Sequence, residues 1–297
     1  SDGGSTDDTL SIVRSLSESM NIKLVDNKLK TGEAGKAQGL KQANNDILVF
    51  IDSDNILPQQ DWLQKMAGPF CDPQILASEP LYYTYRKEDG YITRYCALIG
   101  MNDPLCLFLG NYDRYCLLTK KWTEMAVSET QEDSYIRVNF LNENLPTIGA
   151  NGFFIRRKEL LGYPIKDYLF DIDIVQSLYL NNRRLNIAKV KVGIIHIFSR
   201  TIGDFIAKQS RRFKDYAYYK ARGLRTYRWH KVHNLRIFKF ILYTLLFFPV
   251  FIQALRGYFI KKDRAWFFHP VACWVTLYIY AVLSVKNAFW SLRPQKR

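Results

Sequence analysis

Apolar and polar positions along the first sixty residues switch between two periods. Leu10, Val13, Leu16 and Met20 recur at helical spacing behind Ser5-Thr6-Asp7-Asp8, whose hydroxyls and carboxylates suit a helix start, so a helix is expected from about Thr6 to Met20. Ile22 to Val25 reads as a strand, Glu33 to Asn44 as a helix and Ile47 to Asp52 as the next strand. That alternation predicts an α/β domain with a mostly parallel sheet, right-handed crossovers and flanking helices. Ile47 to Ile51 is apolar at every position, the pattern of a parallel strand buried on both faces. Farther along, Phe153 to Ile155 and Asn186 to His196 read as strands around a helix from about Leu169 to Asn182, and Ile202 to Arg222 as an amphipathic helix. Tyr82 to Leu145 is an aromatic-rich mixture with no dominant period.

Two longer apolar runs follow, Phe240 to Ile252 and Pro270 to Val285. With their apolar neighbours each approaches the roughly 20 residues that span a bilayer. Pro249, Lys239 and Lys286 weaken a spanning assignment, and a pair of helices lying in the interface fits the same pattern. Charge sharpens the division: from Ser199 onward there are 20 Lys and Arg against 3 Asp and Glu, and before it 22 against 25. The formal net charge of +14 is therefore a property of the last third. Nine basic residues on the outer flanks of the runs against four in the connecting loop place the N-terminal part in the cytoplasm if the runs cross. The expected organisation is an α/β domain over residues 1–225 and membrane-associated helices over 226–297, at the cytoplasmic face of the cell membrane, with a multi-pass anchor of two helices. The five cysteines are odd in number and show no Cys-x-x-Cys spacing, which agrees with a reducing compartment.

Asp52 and Asp54 end the apolar run one residue apart. Residues i and i+2 of an extended segment point the same way, and the carboxyl ends of strands are where open α/β sheets bind ligands, so both carboxylates can address one hard cation. A solvated Asp-Ser-Asp turn is the plain alternative. A calcium loop fits less well, since its pattern fails at Ile56 and Leu57. Gly32-Glu-Ala-Gly35-Lys36-Ala is not a P-loop either: Lys30 stands where the first Gly belongs and Ala37 replaces Ser/Thr.

Taken in order, these patterns resemble a membrane-associated family 2 glycosyltransferase with the GT-A fold, over nearly the whole chain. Ser1-Asp-Gly-Gly-Ser-Thr-Asp is similar to the family's nucleotide-binding turn, and the resemblance implies that Asp2 binds the base or ribose. It implies that Lys36 lies beside the nucleotide, and that Asp52 and Asp54 hold Mg²⁺ or Mn²⁺ against the donor diphosphate, with His196 completing the metal site. Gly149-Ala-Asn151-Gly152, followed by Phe170-Asp171-Ile-Asp173, is similar to the acceptor-side element that donates the catalytic base. Asp171 matches the base; Phe170 replaces a Glu, which keeps Asp173 as an alternative. Asn151 and Gly152 fall to donor binding. Gln209-Ser-Arg-Arg212-Phe213 resembles the Gln-x-x-Arg-Trp motif of polysaccharide synthases, with Arg212 expected on the diphosphate, Gln209 beside it and Phe213 at the acceptor entrance. Since the chain opens in mid-motif, the resemblance also implies a first strand and helix upstream of Ser1.

The expected activity is an inverting, metal-dependent, hexosyltransferase-like transfer from a nucleoside-diphosphate sugar to a lipid-linked or membrane-proximal glycan acceptor in cell-envelope synthesis. Alternatives are a processive polysaccharide synthase, which Phe213 in place of Trp argues against, and a catalytically silent membrane scaffold, which the Asp52/Asp54 pair argues against. A nucleic-acid partner is suggested by the basic, aromatic stretch Arg211 to Arg228, but the apolar runs that follow fit a membrane better.

Overall fold

An apolar run becomes a strand only where a partner ladder satisfies its backbone groups, and this decides which expected elements form. The computed structural model describes residues 1–162, 167–182, 185–227 and 234–289. In chain order, α1 (Thr9–Leu16), α2 (Gly32–Gln42), β1 (Ile47–Phe50), β2 (Asn55–Ile56), α3 (Trp62–Ala67), β3 (Ala77–Tyr83), α4 (Tyr91–Ile99) and α5 (Leu105–Leu109) are followed by β4 (Val127–Gln131), β5 (Tyr135–Phe140), β6 (Phe153–Arg156), α6 (Arg157–Leu161), α7 (Asp171–Asn182), β7 (Asn186–His196) and α8 (Ile202–Ala221). Three apolar helices come last: α9 (Asn234–Leu246), α10 (Phe248–Ile260) and α11 (Phe268–Phe289).

The expected strand at Ile22 to Val25 does not form. Only an isolated parallel bridge, Asp2 to Asp26, runs beside it, too short a ladder to hold a strand. The sheet has the order β1-β6-β3-β7-β5-β4, with β2 also on β7. It is mixed: among the described pairs only β3 with β7 is parallel. β1 pairs antiparallel with β6; Leu48 and Phe50 face the core shared with α7 while Val49 on the opposite face is exposed, so the expected two-sided burial does not hold. β7 is the long interior strand, and its bounds are those expected from the sequence.

The two faces of the sheet carry separate cores. Leu48, Phe50, Ile155 and Ile187 pack with Ile174 and Leu178 of α7. Phe154, Ala188, Val190 and Ile194 pack with Trp62 and Met66 of α3 on the other side. A third apolar cluster joins Tyr95 of α4, Phe108 of α5 and Phe205 of α8 to Phe240, Val250 and Cys273 of the last three helices. Among the described residues one helix, Arg264–Phe289, is long and apolar enough to cross a membrane, or two stretches if the bent pair α9 and α10 is taken as one. That pair breaks inside the first apolar run, at an angle of 89°. Phe247 at the break has φ +62°, and Pro249, lacking an N–H, fits the first turn of a new helix and not the middle of an old one.

Candidate active site

Lys36 is the centre of the site. Thr31 caps α2 by accepting a hydrogen bond from the Ala34 N–H, and the start of that helix presents Lys36 to the end of β1 and the start of α7. Its Nζ lies 3.0 Å from Asp52 Oδ1 and 2.6 Å from Asp171 Oδ2. The expected exposed or phosphate-facing lysine is thus a partly buried ion pair between two carboxylates. Burial works against its charge, yet Asp171 and Asp52 together hold its pKa above the ordinary lysine value. Asp171 is pushed up to about 7 by burial, with Lys36 pulling down and Asp52 pushing up. Its other oxygen, Oδ1, is buried with no protein partner.

Gly149 fixes where Asp171 sits. It has φ +133°, and a Cβ there would lie 2.6 Å from the Asp171 carbonyl oxygen. Gly149→Ala is expected to cost about 1–3 kcal/mol in thermal unfolding and to lower turnover as Asp171 is displaced; unchanged melting and turnover would remove this role for the glycine. Behind the loop is a buried charge cluster. Glu79 accepts from the Gly149 N–H at 3.0 Å and pairs with Lys189 at 2.7 Å and Arg114 at 2.8 Å. Arg114 also donates to the carbonyls of Ala150 and Asn151. Burial lowers the Lys189 pKa to about 8, against the pull of Glu79.

The second half of the site comes from β2 and β7. Their pairing sets Asn55 opposite His196, which brings Asp54 Oδ2 to 3.4 Å from His196 Nε2. Lys208 of α8 approaches the same oxygen at 3.0 Å. Against the cost of burial, the hydrogen bond from His196 and the charge of Lys208 hold the Asp54 carboxyl well below the usual range. A cavity of about 600 Å³ opens here, lined by Ser53, Asp54, Ile56, Arg200, Lys208 and Arg211 among others. One carboxylate oxygen and one imidazole nitrogen are two of the donors a divalent cation needs, and the nitrogen suits Mn²⁺ better than the oxygen-seeking Mg²⁺. Asp52 faces Lys36 instead, and among the described residues no three His, Cys, Asp or Glu side chains converge on a common point.

Other expected site residues are placed differently. Asn151, at φ +55°, donates to Tyr83 Oη at 3.1 Å and accepts from Asn55 at 3.0 Å, so it ties the carboxylate turn to the sheet. Gly152 lies under Trp62, where a Cβ would come within 2.8 Å of the indole. Asp2 caps its own turn, accepting from the Gly4 N–H at 2.7 Å and the Ser5 N–H at 3.1 Å; the Ser5 hydroxyl and the Gly4 amide hold its carboxyl below the ordinary value. Gln209, Arg212 and Phe213 turn toward α11 and the loop before α5. Gln209 donates to the Asn102 carbonyl at 3.0 Å, Arg212 pairs with Asp103 at 3.4 Å and Phe213 meets Tyr280. Asp173 is fully buried, accepting from the Tyr227 N–H at 2.9 Å and pairing with Arg225 at 2.8 Å, which makes it a clamp on the segment after α8. Phe170, in the place of the expected Glu, packs against Tyr219 and under the Arg225 guanidinium.

Lys208, Asn55 and Tyr83 are not singled out by the sequence. Lys208 directly precedes Gln209, so the motif marks the helix but not the face that meets Asp54.

Pre-mycofactocin glycosyltransferase of Mycobacterium tuberculosis is 32% identical over 65 residues, which span 22% of this chain and 14% of that protein. Among solved structures, the mannosyltransferase PcManGT from Pyrobaculum calidifontis, in complex with GDP-Man and Mn²⁺, is 17% identical with a TM-score of 0.45, covering 98% of this chain and 66% of that one. Glucosyl-3-phosphoglycerate synthase from Mycobacterium tuberculosis, in complex with Mn²⁺, UDP and glucosyl-3-phosphoglycerate, is 20% identical with a TM-score of 0.37, over 68% of this chain and 61% of that one. The family model for glycosyl transferase family 2 matches residues 1–160, more than half of the 297, and the chain belongs to that family.

Proposed function

We propose that this protein is an inverting, metal-dependent glycosyltransferase that moves a sugar from a nucleoside-diphosphate donor to a lipid-linked or membrane-proximal glycan acceptor at the cytoplasmic face of the membrane. The observation that carries the reading is the bridge from Asp52 through Lys36 to Asp171, which puts a cation-type carboxylate and a raised-pKa carboxyl into one site. Inversion needs a base that takes the acceptor hydroxyl's proton while the nucleotide leaves from the opposite face. Asp171 is suited to be that base, because its Oδ1 has no protein partner and a pKa near 7 lets it accept a proton and later release it. Lys36 holds the carboxylate still through Oδ2.

Asp54 and His196, with Asp52 turned from Lys36, would hold Mg²⁺ or Mn²⁺, which when bound offsets charge on the leaving diphosphate. Lys208 and Arg200 line the adjoining cavity and add positive charge for phosphate oxygens. The test is release of nucleotide from GDP- and UDP-sugars, with and without Mn²⁺, in the presence of prenyl phosphate acceptors. Metal-dependent release that rises with acceptor is expected. No release from any donor would favour a silent scaffold, to which the lysine-paired carboxylates also lend themselves.

A further inference from the structure

Each of the last three helices has two apolar faces. On α11, Ala272, Cys273, Thr276, Ile279 and Leu283 are buried, while Val271, Trp274, Tyr278, Val285 and Phe289 are exposed. Both sets recur at helical spacing, so one stripe packs on protein and the other faces away from it. α9 exposes Leu235, Phe238, Leu242 and Leu245 in the same rhythm, and α10 exposes Phe248, Ile252 and Phe259. Lys239, Arg256, Lys262, Arg264 and Lys286 are exposed among and around them.

What α11 packs against decides how it can meet a bilayer. Phe205 in the first turn of α8 meets Phe268 at 5.3 Å between ring centres, and Phe213 two turns later meets Tyr280 at 5.5 Å. The two helices therefore run side by side in the same direction. Along this stretch α8 carries Lys208, Arg211 and Arg212. A crossing by α11 would drag that charged helix into hydrocarbon, where ionic groups are expensive. α11 is held on protein as far as Leu283, and the remainder to Phe289 rises only about 9 Å. The bent pair is no better suited. α9 and α10 have 13 residues each and rise about 20 Å, short of a hydrocarbon core of about 30 Å, and at 89° the rise of one leg adds nothing along the other.

We propose that α9, α10 and α11 lie in the plane of an anionic bilayer surface, with their exposed stripes sunk into the headgroup boundary, in place of two membrane crossings. Two perpendicular helices share a plane readily, and the exposed Lys239, Arg256, Lys262, Arg264 and Lys286 match anionic headgroups. The Lys261–Arg264 turn then lies on the same side of the membrane as the catalytic domain.

Cys71 is exposed on the domain and the other cysteines are buried, so the native chain already carries one reporter. In sealed membrane vesicles of one orientation, a membrane-impermeant maleimide should label Cys71 and a Lys262→Cys reporter together or neither. Labelling of one from outside and of the other only after detergent would overturn the proposal, whether or not the protein transfers sugar. A Phe248→Glu/Phe259→Glu variant changes side chains that are 72% and 77% exposed, which leaves folding intact. It should float with phosphatidylcholine/phosphatidylglycerol vesicles about tenfold less than wild type. Equal flotation, or wild-type binding to phosphatidylcholine alone as strong as to the mixed vesicles, counts against it.

Discussion

Asp171→Asn should cut turnover by about 10²-fold or more while donor binding stays near wild type. The substitution keeps the size and the contact with Lys36 but cannot take a proton from an acceptor hydroxyl. Because Asp171 titrates at about 7, the wild-type rate carries a second signature. A base works only when ionised, so kcat/KM should fall about tenfold per unit as pH drops below that value and level off above it. Asp171→Asn should remove this acid limb from whatever activity remains. Asp173 supplies the contrast. It is fully buried against Arg225 and two backbone amides, so Asp173→Asn should cost about 1–3 kcal/mol of stability and leave turnover of the folded fraction largely intact. Normal turnover in Asp171→Asn would remove the base from this position, and a folded but inactive Asp173→Asn would move it two residues on.

The features legible in the sequence are those set by local pattern. β7 is a long, mostly β-branched and apolar segment interrupted by Lys189 and Lys191, and α7 starts at the acid pair that favours a helix N-terminus, so both appear where expected. Asp52, Asp54 and Asp171 are marked by the same local signals together with the family resemblance. What local pattern leaves open is which strands become neighbours. β1 reads as buried on both faces yet exposes Val49 on one, because burial depends on what packs over each face. Tyr83, Asn55 and Lys208 reach the site through the register of β2 and β3 on β7 and the angle of α8, none of which a single segment encodes. Lys36 belongs to the same class: its spacing marks a helix start, but its two partners are 16 and 135 residues away along the chain. The tail reads as two uniform runs because hydropathy averages over the break before Pro249, where the first run turns through 89°.

Asp54→Ala should abolish metal-dependent transfer. Its carboxylate is the one that meets His196, and without it the imidazole remains beside Lys208 with no anionic oxygen to share a cation. Asp52 and Asp54 are about a third exposed but ion-paired to lysines, so truncating either should cost about 1–3 kcal/mol and still leave a folded protein. Calorimetric titration of the nucleotide with Mn²⁺ separates this from a fault in chemistry: Asp54→Ala should lose the Mn²⁺-dependent part of nucleotide binding, whereas Asp171→Asn should keep it. Asp52→Ala should also be severely impaired, with an added mark on the residual rate. Asp52 pushes the Asp171 pKa up and takes a share of Lys36, so its removal leaves Lys36 wholly to Asp171 and favours the ionised base. The acid limb of the pH profile should therefore move to lower pH in Asp52→Ala. Full activity in either alanine variant would remove the metal from this pair, and an unmoved limb would show that Asp52 and Asp171 do not act through Lys36.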